Sequence, residues 1–345
     1  MSDKERVIVV GAGGISNAWF GAINAEALSV LAVVDLNREA ASAQIEKYKL
    51  AGAVALDEVD AALSAFAARA DFLIDLTVPA AHFEVTTKAL RAGLHVVGEK
   101  PMAQTMGQAR EMIRVSESNG KLFMTSQSRR WETNHATIAR TLRSGALGTI
   151  TTANCDFFIG AHFGGFREKM RNVLILDMAI HHFDLARMFL GANATRVWCE
   201  ESNPVGSWYA HGSTATAVFE MENGVRFNYR GSWCAQGCHT SWNGDWRIIG
   251  TDGTLLFAND KLPTGKIVAD RSVPAFHLPL KDLPVEPTRI EKTGFQGGLD
   301  EMLRFLRTGT KPQTECHDNI HSLAMVHGAI KSAAENRWVA LSELE

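Results

Sequence analysis

Short apolar runs alternate with alanine-rich helical segments along the first third of the chain. Continuous apolar runs between turns are typical of buried parallel strands, and longer amphipathic stretches are typical of helices. The pattern predicts strands at 6–10, 30–34, 72–76, 94–97 and 121–127. It predicts helices at 16–27, 38–48, 57–69, 80–92 and 105–119. This alternation favours a doubly wound parallel sheet with helices on both of its faces.

The pattern changes after about residue 128, where antiparallel signals take over. Asn223-Gly224 and Asp252-Gly253 each separate two apolar strands, as hairpin turns do. The proline-rich segment 258–290 reads as a loop region on the surface of this second part. Further helices are predicted at 132–143, 173–190, 295–308 and 318–336.

The segment 173–190 reads VLILDMAIHHFDLARMFL, and two aspartates, two adjacent histidines and an arginine stand out against its apolar background. In one helix of about four to five turns, Asp177, His181 and Asp184 fall on nearly the same face, while His182 points away. Charges in so apolar a helix are costly unless they are paired or hydrogen-bonded. The segment alone leaves two interpretations open: a self-satisfied buried cluster, or an acid/base pair that faces a cleft.

Length and composition limit the class of protein. A chain of 345 residues is long enough for two domains with their own cores, which we place at 1–127 and 128–345. The net charge of −3 gives no reason to expect nucleic acid or an anionic membrane as partner. No signal peptide or membrane-spanning run is apparent, and five irregularly spaced cysteines favour reduced thiols, so we expect a cytoplasmic protein.

The segment Cys234-Ala-Gln-Gly-Cys238-His239 offers possible metal ligands. It lacks the paired, two-residue-spaced cysteines of a structural zinc site. We therefore predict that the protein has no metal centre.

A glycine-rich turn follows the first strand and opens the first predicted helix. Gly11 would permit a tight turn, and Gly13 would let the backbone approach a pyrophosphate at the helix N-terminus. A small residue at Ser16 suits close packing of helix on strand. The turn predicts a dinucleotide site that includes Gly11, Gly13, Gly14, Ile15 and Ser16.

An acidic residue at the end of the second strand bears on the choice of dinucleotide. Asp35 occupies the position where a carboxylate binds the ribose hydroxyls and repels a 2′-phosphate, which favours NAD. Arg38 keeps NADP possible, because a guanidinium can bind that phosphate.

Polar and ionisable residues also follow two further predicted strands. Thr77, Pro79 and His82 follow the run FLIDL, and Glu99 and Lys100 follow the run LHVVG. In an open α/β sheet the ligand crevice lies outside the carboxyl ends of the strands, so both segments should border the cofactor. The alternative for Glu99-Lys100 is a surface ion pair.

Four motifs in this order, GAGGIS, TVPAAH, GEKP and LDMAIHHFD, resemble the glucose–fructose oxidoreductase/inositol dehydrogenase (GFO/IDH/MocA) family. The resemblance extends over essentially the whole chain. It implies a Rossmann domain, a second α+β domain with an open-faced, mostly antiparallel sheet, and NAD(P)-dependent hydride transfer on sugars or cyclic polyols. Family members often have a glycine-rich run before the aspartate, whereas this chain has RNVLIL at 171–176, which leaves the substrate open.

The resemblance also assigns candidate catalytic residues. Lys100 matches the family's catalytic lysine, and Asp177 and His181 match its aspartate and histidine. A histidine suits removal of a hydroxyl proton near neutral pH, and an aspartate one turn away can orient it. Candidate substrate contacts are Arg130, Trp131, Arg167 and Asn172.

The expected partner is thus a small polyol or sugar. An open sheet face favours self-association as a dimer or tetramer. Two alternatives remain at the level of sequence: a non-catalytic dinucleotide-binding regulator, and a reductase of a non-sugar substrate such as a dihydrodiol.

Overall fold

The computed structural model describes residues 4–272 and 274–344. Its strands are β1 (Arg6–Val10), β2 (Ser29–Val34), β3 (Val54–Leu56), β4 (Phe72–Asp75), β5 (His95–Gly98), β6 (Phe123–Thr125), β7 (Ile150–Phe158), β8 (Ala194–Ser202), β9 (Thr214–Met221), β10 (Arg226–Ser232), β11 (Asp245–Gly250), β12 (Gly253–Phe257), β13 (Thr264–Val268), β14 (Leu280–Asp282) and β15 (Val339–Ala340). Its α-helices are α1 (Ser16–Ala25), α2 (Arg38–Tyr48), α3 (Val59–Phe66), α4 (Pro79–Arg91), α5 (Met106–Ser118), α6 (Thr133–Arg143), α7 (Ile180–Leu190), α8 (Gly294–Thr308) and α9 (Cys316–Glu335).

The chain forms two compact units, and the first is discontinuous in sequence. The first unit extends to Trp131 and also contains Glu291–Leu323; the second contains Glu132–Ile290 and resumes at Ala324. The predicted boundary after residue 127 therefore differs from the structure chiefly at the C-terminal end. Helix α8 belongs to the first unit because it packs on α1 and on Trp131, so closely that a side chain at Gly297 would lie 2.5 Å from the Trp131 Cβ.

The first unit contains the predicted doubly wound sheet, which is confirmed. In the described residues its strands are parallel in the order β3-β2-β1-β4-β5-β6. The order reverses at β1, so the carboxyl ends of β1, β4 and β5 lie side by side. Strand β3 was not predicted, because its apolar run is short and its residues are exposed or half-buried.

The second unit is built on the expected mostly antiparallel sheet, in the order β14-β13-β12-β11-β7-β10-β9-β8-β15 among the described residues. The pairing of β7 with β10 is parallel. Both predicted hairpins form, β9 with β10 and β11 with β12. Strands β13 and β14 correct the prediction of a loop region at 258–290; their residues are mostly exposed or half-buried, and the hydrophobic signal is correspondingly weak.

One face of this sheet is buried and the other is partly polar. Alternate residues of β9, from Ala215 to Met221, are buried in a core that also contains residues of α6 and α7. The opposite face bears Asn154, Asp156, Asn228 and Arg230, which line a shallow surface groove. This arrangement agrees with an open-faced sheet.

The segment predicted as one helix at 173–190 has two parts. Leu174–Ala179 forms a π-helical turn, and α7 follows it and ends at Gly191, whose φ is +60°. Asn172 precedes the turn in a left-handed conformation, with φ +51°, and its carbonyl accepts the Leu176 N–H. The hydrophobic pattern does not indicate the wider turn, because residues on nearly all sides are apolar. π-Helical turns are frequent at functional sites.

Three of the five ionisable groups in this segment, His182, Asp184 and Arg187, are buried. Asp184 forms an ion pair with Arg187, with Oδ1 and Nη1 3.6 Å apart and both side chains at most 5% exposed. His182 is fully buried among aromatic rings, 5.0 Å from Phe157 and 5.6 Å from Tyr229 between ring centres. The side chains of Asp184 and His182 therefore lie in the core of the second unit.

No helix in the described part of the chain has the length and apolar character required to cross a bilayer.

Removing one partner of the buried pair should destabilise the second unit. Arg187→Met strands the Asp184 carboxylate in the core, a change that typically costs about 3–5 kcal/mol. Arg230→Met removes a similar pair with Asp156 in which the arginine is 62% exposed, and should cost less than about 1 kcal/mol. Thermal melting of the two variants measures the difference. Equal melting temperatures would show that burial of the Asp184–Arg187 pair does not increase its contribution to stability.

Candidate active site

The glycine turn after β1 is sterically constrained at its first position. Gly11 has φ +104°, and a Cβ there would lie 2.6 Å from the Leu76 carbonyl oxygen. Its N–H donates to the Val34 carbonyl at 2.7 Å, so the turn is fastened between β2 and the end of β4. Only glycine fits this position.

The next two glycines face open space. A Cβ on Gly13 or Gly14 would meet no atom within 4 Å, and both residues are exposed. Helix α1 begins directly afterwards, with Ile15 at its N-cap, no side-chain cap and no acidic residue in its first turn. Ser16 is fully buried, and its hydroxyl donates to the Gly13 carbonyl at 2.7 Å. An accessible backbone at an uncapped helix N-terminus suits a dinucleotide's pyrophosphate.

Asp35 binds the same turn. One carboxylate oxygen accepts the Ala12 N–H at 2.8 Å, and the other accepts the Asn37 N–H at 2.9 Å. The side chain is partly exposed, so it holds the loop in shape and still presents its charge at the end of β2. Arg38 is exposed, and its Nε donates to the Ala55 carbonyl at 3.1 Å.

A buried aspartate that is not among the predicted site residues organises the end of β4. Asp75 is fully buried, and its carboxylate accepts hydrogen bonds from the Thr77 hydroxyl at 2.6 Å and the Thr86 hydroxyl at 3.1 Å. Pro79 is the first residue of α4, where its missing N–H has no consequence. The sequence signal was present, since the apolar run FLIDL contains an acid at its fourth position.

Glu99 and His82 fix the turn that carries Lys100. Glu99 is buried; its carboxylate accepts the Trp19 indole N–H at 2.7 Å and the Lys100 backbone N–H at 3.2 Å. Burial raises the pKa of the Glu99 carboxyl, although the Trp19 hydrogen bond opposes that change. The two ring nitrogens of His82 lie 2.9 Å from the carbonyl oxygens of Thr77 and Pro101. Glu99 is therefore no surface ion pair, and both side chains hold neighbouring strand ends together.

In the second unit, Asp177 lies within the π-helical turn and is partly buried. Its carboxylate accepts a hydrogen bond from Nε of Arg167 at 3.0 Å. The Arg167 guanidinium also lies 5.2 Å from the ring centre of Phe163 and 5.1 Å from that of Phe166. His181 follows near the start of α7 and is partly buried. The predicted orienting of His181 by Asp177 stays a prediction.

Asn172 has an internal partner. Its amide donates to a carboxylate oxygen of Glu201, whose pKa is raised by burial. This bond fixes the start of the π-helical turn, so Asn172 supports the position of Asp177; its role as a substrate contact stays a prediction.

Arg130 and Trp131 both pack within the first unit, and their role as substrate contacts stays a prediction. Arg130 is 6% exposed and donates to Asp318 at 2.9 Å and to the Gln313 carbonyl at 3.0 Å. Trp131 is 5% exposed, and its indole N–H donates to Glu301 at 3.2 Å. The sequence could not reveal these contacts, because their partners lie about 170 or more residues along the chain.

Within residues 4–272 and 274–344, Cys234, Cys238 and His239 do not bring three metal-ligating atoms together. The group that does so is Glu315, Cys316 and His317, where His317 also bonds Glu117 at 2.9 Å.

Comparison with protein families identifies matches for both units of the chain. Residues 5–127 match the model of an oxidoreductase family with an NAD-binding Rossmann fold, and residues 135–256 match a GFO/IDH/MocA C-terminal domain. The chain belongs to the GFO/IDH/MocA family. It is thus an oxidoreductase of a family that binds NAD.

Characterised relatives act on sugars or inositol. The chain is 29% identical to D-apiose dehydrogenase of Paraburkholderia graminis over 296 residues, covering 83% of this chain and 77% of the relative. It is 29% identical to inositol 2-dehydrogenase of an Arthrobacter species over 205 residues, or 57% of each chain.

The fold recurs in an oxidoreductase from Agrobacterium radiobacter whose structure was solved with NAD⁺, L-tartaric acid and magnesium. That structure superposes with a TM-score of 0.86 at 18% identity, covering 99% of this chain and 100% of the other. At this identity the similarity establishes the architecture alone.

Replacing Gly11 or Gly13 by alanine should have different effects on stability and on NADH binding. Gly11→Ala forces a Cβ against the Leu76 carbonyl at positive φ, so it should lower the melting temperature. Gly13→Ala meets open space and should fold normally, but its methyl should weaken NADH binding by about tenfold or more. Melting curves and NADH fluorescence titrations measure both effects. Normal NADH affinity in Gly13→Ala would remove this turn from the pyrophosphate site.

Proposed function

We propose that this protein is an NAD(H)-preferring dehydrogenase or reductase of a sugar, a sugar derivative or an inositol. The observation that carries the proposal lies in the first unit. Lys100 follows β5 at the sheet edge where the glycine turn follows β1 and Thr77 follows β4, and these three strands are neighbours. A lysine at this edge is suited to act beside a bound dinucleotide.

Bound NAD⁺ would supply the hydride acceptor for a secondary alcohol, and bound NADH the donor for the reverse reaction. Lys100 would donate a hydrogen bond to the reacting oxygen and stabilise the negative charge that develops on it. His181 would take the hydroxyl proton, and Asp177 would favour the charged form of that imidazole. The buried Glu99 and the His82 contacts support this assignment, because they hold the Lys100 backbone in one conformation.

The polyol assignment follows from the relatives, which include D-apiose and inositol dehydrogenases. The test is NADH formation across a panel of aldoses, inositols and anhydrosugars, with trans-dihydrodiols included. Oxidation of one or more polyols supports the proposal. NADH binding without turnover of any panel member would instead favour a non-catalytic regulator, and turnover of dihydrodiols alone would favour the other alternative.

The two adjacent histidines should separate catalysis from stability. His181→Ala should lower kcat by roughly 10²–10⁴-fold, as loss of a positioned proton-transfer group does, while NADH affinity changes little. His182→Ala should lower the melting temperature instead, because it opens a cavity among Phe157 and Tyr229. Single-turnover hydride transfer and thermal melting of both variants distinguish the roles. The assignment fails if His182→Ala abolishes transfer while His181→Ala stays near wild type.

Asp35 should determine cofactor preference. Wild-type protein should show a higher kcat/KM with NAD⁺ than with NADP⁺, because the Asp35 carboxylate repels a 2′-phosphate. Asp35→Ser should reduce that preference, and Asn37→Ala serves as a control at the same loop. Wild-type preference for NADP⁺ would contradict the role of Asp35 and would indicate that Arg38 binds the 2′-phosphate.

A further inference from the structure

Arg167 presents a guanidinium with unused hydrogen-bonding capacity next to Asp177. Its Nε donates to the Asp177 carboxylate at 3.0 Å, which uses one of the five N–H bonds of the group. Across residues 4–272 and 274–344, the two terminal nitrogens have no hydrogen-bond partner. The side chain is 39% exposed, so these four N–H bonds are accessible from solvent.

Aromatic rings restrict the orientation of this guanidinium. Its central carbon lies just over 5 Å from the ring centres of both Phe163 and Phe166. Phe163 in turn packs edge-on against Trp233 at 5.1 Å. A guanidinium held by one carboxylate and two rings loses little further freedom when it binds a ligand.

The segment that carries Arg167 is positively charged. Between residues 160 and 172 it contains Arg167, Lys169 and Arg171, and one acidic residue, Glu168. The Glu168 carboxylate is occupied within the segment, where it accepts the Gly164 N–H at 2.8 Å. With Asp177 counted as well, the three basic and two acidic side chains carry a net charge of +1, so the surface attracts anions.

The same surface offers exposed aromatic area to a ring-shaped ligand. Phe166 is 67% exposed, Trp242 is 48% exposed and Phe163 is 39% exposed. Trp242 lies 5.5 Å from Trp233, so the aromatic cluster is continuous. Exposed aromatic clusters mark ligand or partner sites, and aromatic rings pack well against the C–H faces of sugars.

We infer that the substrate is a sugar acid whose carboxylate is bound by the two terminal nitrogens of Arg167, with its ring against Phe163 and Phe166. The inference rests on the proposed function and specifies its substrate class. Two parallel N–H bonds match the two oxygens of a carboxylate. One charge also balances the local excess, whereas a phosphate dianion beside Asp177 would exceed it.

The test uses matched pairs that differ in the acid group: glucuronate with glucose, and galacturonate with galactose. Wild-type protein should oxidise a uronate with a kcat/KM at least about tenfold above that of its neutral partner, as one charge-assisted hydrogen bond can provide. Arg167→Met should reduce that ratio to near one, mainly by raising the KM for the uronate. Arg167→Lys should keep part of the ratio, since it keeps the charge but not the paired geometry.

Lys169→Met is the matched control, because it removes one positive charge from the same exposed segment but leaves the paired N–H bonds of Arg167 in place, so it should lower the ratio far less than Arg167→Met does. The ratio, rather than either rate, is the readout, because losing the Arg167 contact to Asp177 affects all substrates alike. Activity on neutral sugars with no preference for uronates, or an equal effect of the two methionine variants, would overturn the inference and leave the proposed function intact. Preference for glucose 6-phosphate over glucuronate would overturn the carboxylate assignment. Absence of turnover with every sugar, acid or neutral, would overturn the proposed function itself.

Discussion

The buried hydrogen bond from Trp19 to Glu99 is the contact on which the nucleotide half of the protein depends. Trp19 lies one turn into α1, the helix that the glycine turn opens, and Glu99 directly precedes Lys100. A buried carboxylate is costly without partners, so the indole N–H and the Lys100 N–H define where this group can lie. The bond thereby fixes the distance between the proposed pyrophosphate cradle and the proposed catalytic lysine.

A second set of contacts does the same for the candidate groups of the second unit. Asn172 in its left-handed conformation, bound to Glu201, begins the π-helical turn that carries Asp177. The Asp184–Arg187 pair and the aromatic surroundings of His182 then fix α7 in the core. In both units, buried polar contacts fix the segments that carry the proposed catalytic residues.

The sequence predicts those parts of the fold that depend on local signals. The parallel sheet, the two hairpins and the end of α7 at Gly191 follow from apolar runs and turn residues, and the structure confirms them. Strand β3 and the π-helical turn do not follow from these signals, because β3 has no buried run and the residues of the turn are apolar on nearly all sides. The packing of Arg130 and Trp131 was missed for another reason: it depends on α8 and the start of α9, which fold back onto the first unit from far along the chain.

The central claim is that the protein moves a hydride between a polyol carbon and nicotinamide with Lys100 at the reacting oxygen. The most direct measurement uses a sugar or inositol that reduces NAD⁺ in the panel, deuterated at the oxidised carbon, with mass spectrometry of the NADH formed. The account predicts one deuterium in the reduced nicotinamide for each turnover. It also predicts loss of transfer in Lys100→Met, which should still bind NADH. Deuterium released to solvent, or undiminished transfer in Lys100→Met, would contradict it.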